Sequence, residues 1–272
     1  MTDAAPKPEA LLAVAAEAAR AAGKIQRARA RRPREVDHIE RHDVKLGVDR
    51  LCEEAVVRTI RAAFPSHAIL AEEGGDTGGD CYRWIVDPLD GTVNYYYGLP
   101  YYCTSVACYA SDAGPDAGPL AGVGRPIAGA VYAAPTDELF TAVAGGGAFL
   151  NGERIRLHDV TELSEAIVCT GYGKARELCE KLADTCAALV GSVRKIRILG
   201  AAAYDLCHVA DGRLSGFFEA DLRTWDVAAA AIILAEAGGH FEATPLAPTR
   251  WRILGCAPGL AGPLREGIPG MK

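Results

Sequence analysis

Trp84-Ile85-Val86-Asp87-Pro88-Leu89-Asp90-Gly91-Thr92-Val93-Asn94 is the stretch on which the reading of this chain turns. Apolar residues run straight into an acidic turn containing proline and glycine, the pattern of a buried strand ending in a loop. Asp87 and Asp90 leave that strand end close together. Two carboxylates held so near raise each other's pKa unless a cation sits between them. A hard ion such as Mg²⁺ takes oxygen ligands and keeps several waters, and the backbone carbonyl of Leu89 offers one more oxygen. Pro88 stiffens the turn and Gly91 lets the chain reverse. A short helix starting there would aim the amides of Gly91 and Thr92 at an anion, which a phosphate fits. A DPxDG stretch is also an ordinary surface turn between strands, so the assignment depends on what else the chain supplies.

Three other acidic positions supply it. Glu72 and Glu73 follow the apolar run Ala68-Ile69-Leu70-Ala71, so they stand at a strand end as Asp87 does. Asp226, in Thr224-Trp225-Asp226-Val227-Ala228, precedes the helical run AAAAIILAEAGG. An isolated Asp there is a helix-start acid favoured by the dipole; beside Asp87 and Asp90 it is also a third carboxylate for a second metal. Asp49 closes the stretch Asp43-Val44-Lys45-Leu46-Gly47-Val48-Asp49 and opens another helix. An acid near Thr92 would accept its hydroxyl proton and orient it.

Composition narrows the class. Half of the 272 residues are hydrophobic and 24% are charged, which suits a globular chain with a sizeable core, in one domain or two packed halves. The net charge of −6 argues against a general nucleic-acid binder, which needs a concentrated basic face. An acidic protein that binds phosphate must neutralise it locally, with metal ions or helix N-termini. The nine cysteines are odd in number, form no CxxC pair and often sit in apolar runs, as small buried hydrophobes of a reducing compartment do. The N-terminus lacks an apolar core behind a basic leader. VAAAAIILAEAGG is broken by Glu236 and too short for a bilayer. The expectation is a soluble cytoplasmic protein with no membrane partner.

Hydrophobic periodicity predicts helices at residues 9–32 and 49–63, then strands at 67–71, 82–86, 105–110, 122–133 and 138–142. The basic end of the first helix, Arg29 with Arg31, Arg32 and Arg34, reads as a solvated C-terminus. EEGGDTGGD is a loop, SDAGPDAGP a surface turn and GGGAF a turn before Phe149. From residue 166 the pattern alternates: strand 166–170, helix 176–190, strand 192–198, helix 201–210, strand 214–219, helix 225–237. Two sheets between helical layers accommodate this order.

Together these motifs closely resemble the inositol monophosphatase family. Its fingerprint is a Glu-Glu after a strand, a Trp-Ile-Val-Asp-Pro-(apolar)-Asp-Gly-Thr-Thr-Asn segment, and a Trp-Asp-Val-Ala ahead of a helix ending Glu-Ala-Gly-Gly. Here these are Glu72-Glu73, the stretch from Trp84 to Asn94, and Trp225 to Ala228 with Glu236-Ala237-Gly238-Gly239. GGGAFLNG, residues 145–152, resembles a further family turn. The likeness runs from about residue 43 to 256, and the order and spacing of the motifs together make it specific.

The resemblance implies an α/β fold of αβαβα layers, one domain over residues 1–272 with halves near 9–160 and 165–258, and a homodimer. It implies Mg²⁺ held by Glu72, Asp87 and the Leu89 carbonyl, with a second ion on Asp87, Asp90 and Asp226. Water would attack in line without a phosphoenzyme, positioned by Glu72 and Thr92, with Asp49 hydrogen-bonded to Thr92. The amides of Gly91 and Thr92 would hold phosphate oxygens. Asp90, Asp226, Glu219 and the small-residue loop Gly200-Ala201-Ala202-Ala203 would contact the substrate. The chain departs from the family pattern at Val93, Leu46 and Ala201, where threonine or serine is usual, and Arg223 is placed either at the pocket or on the surface. The implied activity is lithium-sensitive hydrolysis of myo-inositol monophosphate or a similar polyol or sugar phosphate. Competing expectations are relatives acting on fructose 1,6-bisphosphate, histidinol phosphate or adenosine 3′,5′-bisphosphate, the last disfavoured because no long nucleotide-recognition insertion is present. A regulatory interaction protein on the same fold is the alternative of another class.

Overall fold

The computed structural model describes residues 5–30, 36–40, 43–79, 81–111, 118–173 and 176–269. Helix α1 (Pro8–Arg29) opens on a proline, whose missing amide a first turn does not need. It buries Leu11, Ala15, Ala18, Ala19 and Ala22, a helical stripe of mostly small residues. Strands β1 (Val36–Glu40) and β2 (Asp43–Leu46) form an antiparallel hairpin that the hydrophobic pattern does not show. Helix α2 (Gly47–Ala63) follows and packs its Val48, Cys52, Ala55, Val56 and Ile60 face inward, against α1.

The first sheet is built from β3 (Ala68–Ala71), β4 (Gly75–Asp76), β5 (Tyr82–Asp90), β6 (Cys103–Ala110), β7 (Arg125–Ala133), β8 (Glu138–Val143), β9 (Gly147–Leu150) and β10 (Glu153–Ile155). Helix α3 (Thr92–Tyr97) lies between β5 and β6 in the chain. The strand order is β10-β9-β8-β7-β6-β5-β3-β4. Neighbours are antiparallel except β3 and β5, which run parallel. Every residue of β6 is buried, because α1 covers one face of the sheet and α6 the other.

The second sheet carries β11 (Ile167–Thr170), β12 (Lys195–Arg197), β13 (Gly216–Arg223), β14 (His240–Ala247) and β15 (Arg250–Cys256), in the order β12-β11-β13-β15-β14. Its helices are α4 (Arg176–Leu189), α5 (Ala202–Ala210), α6 (Thr224–Glu236) and α7 (Ala261–Gly267). Adjacent residues of β13 face opposite layers: Phe217 packs with α5 and α6, Phe218 with Leu189 of α4 and Leu264 of α7. The result is an αβαβα sandwich: α1 and α2, the eight-stranded sheet, α5 and α6, the five-stranded sheet, then α4 and α7.

The structure corrects several expectations. GGGAF is not only a turn: the chain reverses over residues 144–146 and Gly147 already begins β9. The loop EEGGDTGGD contains the short strand β4, paired with β3. The strict alternation ends at α6, and β14 and β15 close the second sheet antiparallel. Those strands carry Arg250, Arg252, Glu242 and Pro245 among their apolar residues, which blurs the period of two. Residues 112–117 of the expected surface turn, with Arg31, Arg32 and Arg34, lie outside the described residues.

Glu236 explains why the GGGAF and Glu-Ala-Gly-Gly motifs occur together. At the end of α6 its carboxylate accepts the amides of Gly145 (2.6 Å) and Gly147 (2.7 Å), strapping the β8–β9 turn to the central helix. Replacing it by alanine removes both charge-assisted bonds and should cost about 2 kcal/mol. A thermal unfolding series checks this, with Glu236→Gln expected to fall between wild type and Glu236→Ala.

Candidate active site

The acidic strand end sits deep in the sandwich. Asp87 and Leu89 are buried at the end of β5, and Asp87 Oδ1 accepts the Leu89 amide at 3.0 Å, closing the turn on itself. The register of β5 on β6 breaks between Asp87 and Asp90, which aims the two carboxylates separately. Gly91 follows at φ 88°, and a Cβ there would come within 2.9 Å of the Tyr101 carbonyl and 3.2 Å of Ala201 Cβ. Only glycine fits that corner.

Asp90 crosses to the second α/β layer. Its Oδ1 accepts the Ala202 amide (3.2 Å) and its Oδ2 the Ala203 amide (2.8 Å), two of the unsatisfied donors at the start of α5. Ala201 carries no capping hydroxyl, and Asp90 does that work from another element. The Cys103 thiol, kept protonated by burial and by Asp90 and Asp87, donates to Asp90 Oδ2 at 3.6 Å. Asp226 lies in the first turn of α6, where its Oδ2 accepts the Arg223 amide at 2.7 Å. Arg223 itself points to the surface. Glu72 follows β3, half-buried, in a turn pinned from behind by Glu53 of α2, whose Oε2 accepts the Glu73 amide at 2.9 Å.

These acids feel one another. Burial first, then the charges of Glu72, Asp90 and Asp226, hold Asp87 far above the usual carboxylate range. Burial pushes Asp90 up to about 7, against the pull of the Ala203 amide. Glu219, on β13, is raised well above its ordinary value by burial and then by Asp226, Asp205 and Asp90. Gly171 makes room for that carboxylate, since a Cβ there would overlap it. Among the described residues no three acidic, histidine or cysteine side chains form a closed ion cage in this conformation. Asp87, Asp90 and Asp226 accept backbone amides instead. The donor set, all hard oxygens gathered around a buried Asp87 whose pKa they raise, nonetheless suits a hard divalent cation, which would relieve the repulsion.

Thr92 opens α3, and its hydroxyl donates to the Leu89 carbonyl at 2.9 Å. This differs from the expected bond to Asp49. The Asp49 carboxylate, buried in the first turn of α2, instead accepts the Leu46 amide at 2.8 Å. The physical reason is the helix start: Asp49, third residue of α2, reaches back to the amide of Leu46 just ahead of the helix. Leu46 is buried and Val93 is exposed.

The model of the inositol monophosphatase family matches residues 7–257. The chain belongs to the inositol monophosphatase family. It is 37% identical over 240 residues to inositol monophosphatase 2 of Solanum lycopersicum, covering 85% of this chain and 86% of that protein. It is 36% identical over 234 residues to Nus factor SuhB of Escherichia coli strain K12, covering 84% and 83%. The crystal structure of extragenic suppressor protein suhB from Bartonella henselae superposes with a TM-score of 0.86 at 28% identity, over 96% of this chain and 99% of that one. No helix among the described residues is long and apolar enough to cross a membrane.

Within the family fold, sequence reading missed the residues that tie the site together. Asn94 stands inside the diagnostic motif, yet only its contacts show a role: Nδ2 donates to the carbonyls of Leu199 (2.7 Å) and Tyr101 (2.8 Å), beside Gly200 at φ 83°. Asp205 is a carboxylate in a mostly apolar helix, a signal legible in the sequence. It is buried, accepts the Tyr101 hydroxyl at 2.6 Å, and is pushed up to about 7 by burial.

Asp205 makes a pH prediction. Its folded pKa lies above the ordinary 3.8, so the folded state holds a proton that the unfolded state has lost. The penalty is absent below about pH 4, grows as pH rises toward 7 and is constant above. Asp205→Asn escapes it, so the variant's melting temperature should gain on wild type from pH 4.5 to 7.5 and then run parallel. The expected gain is on the order of 2–4 kcal/mol before the cost of burying the new amide. A difference independent of pH would refute the assignment.

Proposed function

We propose that this chain is a Mg²⁺-dependent phosphomonoesterase acting on myo-inositol monophosphate or a similar polyol or sugar phosphate. The observation that supports it most is the convergence of Glu72, Asp90 and Asp226, from three separate elements, on the buried Asp87, whose carboxyl is held well above the usual range by burial and by their charges. Glu72, Asp87, Asp90, Asp226 and the Leu89 carbonyl would hold the ions. Bound there, Mg²⁺ supplies charge that polarises the phosphoryl group and lowers the pKa of water.

The protein's own groups do the rest. Glu72 accepts the proton of the attacking water, Thr92 positions that water from the start of α3, and Asp49 holds the start of α2. The start of α3, at Gly91 and Thr92, faces the phosphate with backbone amides. Glu219, Gly200, Ala201 and Ala202, with Asp90 and Asp226, receive the hydroxyls of the alcohol portion. A homodimer is the proposed assembly, supported by the family likeness; light scattering at micromolar concentration tests it.

The deciding experiment is a panel of inositol monophosphates, fructose 1,6-bisphosphate, histidinol phosphate and adenosine 3′,5′-bisphosphate, with and without Mg²⁺, followed by released phosphate. Turnover of the inositol esters only with Mg²⁺ is expected, and activity on the nucleotide alone would overturn the substrate reading. A second reading, a regulatory interaction protein, is favoured by the name Nus factor SuhB of one relative. Full cellular function of an Asp90→Asn variant would support it.

A further inference from the structure

The turn ahead of α5 is held from several directions at once. Asp90 takes the Ala202 and Ala203 amides from one side. Asn94 takes the Leu199 carbonyl from another and, with the same nitrogen, the Tyr101 carbonyl. Tyr101 then reaches α5 with its side chain. Its hydroxyl donates to Asp205 Oδ1 at 2.6 Å, and its ring lies 4.7 Å from that of Tyr204 and 5.8 Å from that of His208. Asp205 belongs to the same helical turn as the two amides, since its own amide donates to the Ala201 carbonyl at 2.8 Å. Two residues beyond Tyr101, Cys103 donates to Asp90 itself. The segment 101–103 therefore touches both ends of the Asp90–α5 contact.

We propose that Tyr101, through its hydroxyl on Asp205, is a positioning residue for Asp90. It sets the first turn of α5 so that the Ala202 and Ala203 amides meet both oxygens of that carboxylate. The inference rests on the reading of Asp90 as a metal and substrate ligand. The physical argument is one of stiffness. A buried carboxylate must be hydrogen-bonded, and a hydroxyl on it at this distance makes a short, directional bond. The β5–β6 ladder breaks between Asp87 and Asp90 and resumes only at the Asp90–Cys103 pair, so contacts outside β5 are needed to aim the Asp90 carboxylate. Partners one shell behind a ligand commonly govern its orientation.

Tyr101→Phe tests this, since it keeps the ring packing on Tyr204 and His208 and deletes only the hydroxyl. With Mg²⁺, kcat/KM on the best phosphate ester should fall about tenfold and half-saturating Mg²⁺ should rise several-fold. In chelator, the Ala202 and Ala203 amides should exchange with deuterium faster, while the melting temperature changes by only about 2–4 °C. Asp205→Asn retains an acceptor oxygen for Tyr101 and should keep kcat/KM and amide protection near wild type. Unchanged exchange and kcat/KM in Tyr101→Phe overturn the proposal. So does a Tyr101→Phe chain that fails to fold, or one that melts far lower with unaltered kinetics, because the hydroxyl would then be a scaffold element. A fall in Asp205→Asn as deep as that of Tyr101→Phe would assign the effect to the Asp205 charge and also overturn it. Wild-type protein with no phosphatase activity would sink the functional reading alone, and the exchange comparison would still decide this contact.

Discussion

Asp90→Asn is expected to lower turnover at saturating Mg²⁺ by at least ~100-fold, the scale for losing one strong electrostatic group from a site. The effect has two sources. The negative charge that Asp90 would offer to a cation disappears. The geometry fails as well, because both Asp90 oxygens accept amides from α5, at 3.2 and 2.8 Å. An asparagine presents one oxygen and one NH₂, so a donor faces a donor and one amide is left unsatisfied, at about 1–3 kcal/mol. The α5 turn must shift to relieve this, carrying Ala201 away from Gly91. Stability should respond differently. Asp90 is pushed up to about 7 by burial, with Asp205 adding to the rise, so removing its charge relieves repulsion at pH 8. Inactivity with a melting temperature close to wild type in chelator is the expected pair of results. Near-normal turnover would refute the ligand assignment.

Gly129→Val should produce the largest loss of stability. Gly129 lies in β7 where α6 crosses the sheet, and a Cβ there would stand 2.8 Å from the Ala229 carbonyl oxygen and 3.1 Å from its Cα. Both obstacles are backbone, so no rotamer change relieves the clash. Ala229 is fully buried and presents only a methyl side chain, which lets the helix approach so closely. Forcing a branched side chain into this seam should cost roughly 3 kcal/mol or more. Gly129→Ala should show a smaller loss of the same sign. The displaced helix also carries Asp226, so the surviving folded fraction of Gly129→Val should have weakened Mg²⁺ dependence. Denaturant melts with parallel activity assays check both arms, and a wild-type midpoint for Gly129→Val would contradict the packing argument.

The elements with strong apolar period were legible from the chain. Helices α1 and α2, strand β5 and helix α6 fall within a few residues of their expected spans. Local chemistry also marked the candidate site, because an acid after an apolar run stands at the mouth of a buried strand wherever that strand is placed. Strands β14 and β15 escaped, since their polar and charged residues face solvent or partners such as Asp221, which pairs with Arg250 at 2.7 and 2.5 Å. The hairpin β1–β2 escaped for a similar reason: VDHIE and DVKL carry too few apolar residues to show a period.

What the amino-acid sequence determined by itself was the inventory: the family, the layered α/β class, and the acids at the ends of apolar segments. The class and the acids follow from short-range rules, in which side-chain type and spacing set local structure; the family follows from the resemblance of its motifs. What only the tertiary structure decided was which acid meets which backbone group. Thr92 turns to Leu89 rather than Asp49, Asp90 caps a helix 112 residues away, and Tyr101 reaches Asp205 across 104 residues. Such contacts depend on how two sheets stack across shared helices, and no spacing along the chain encodes that distance.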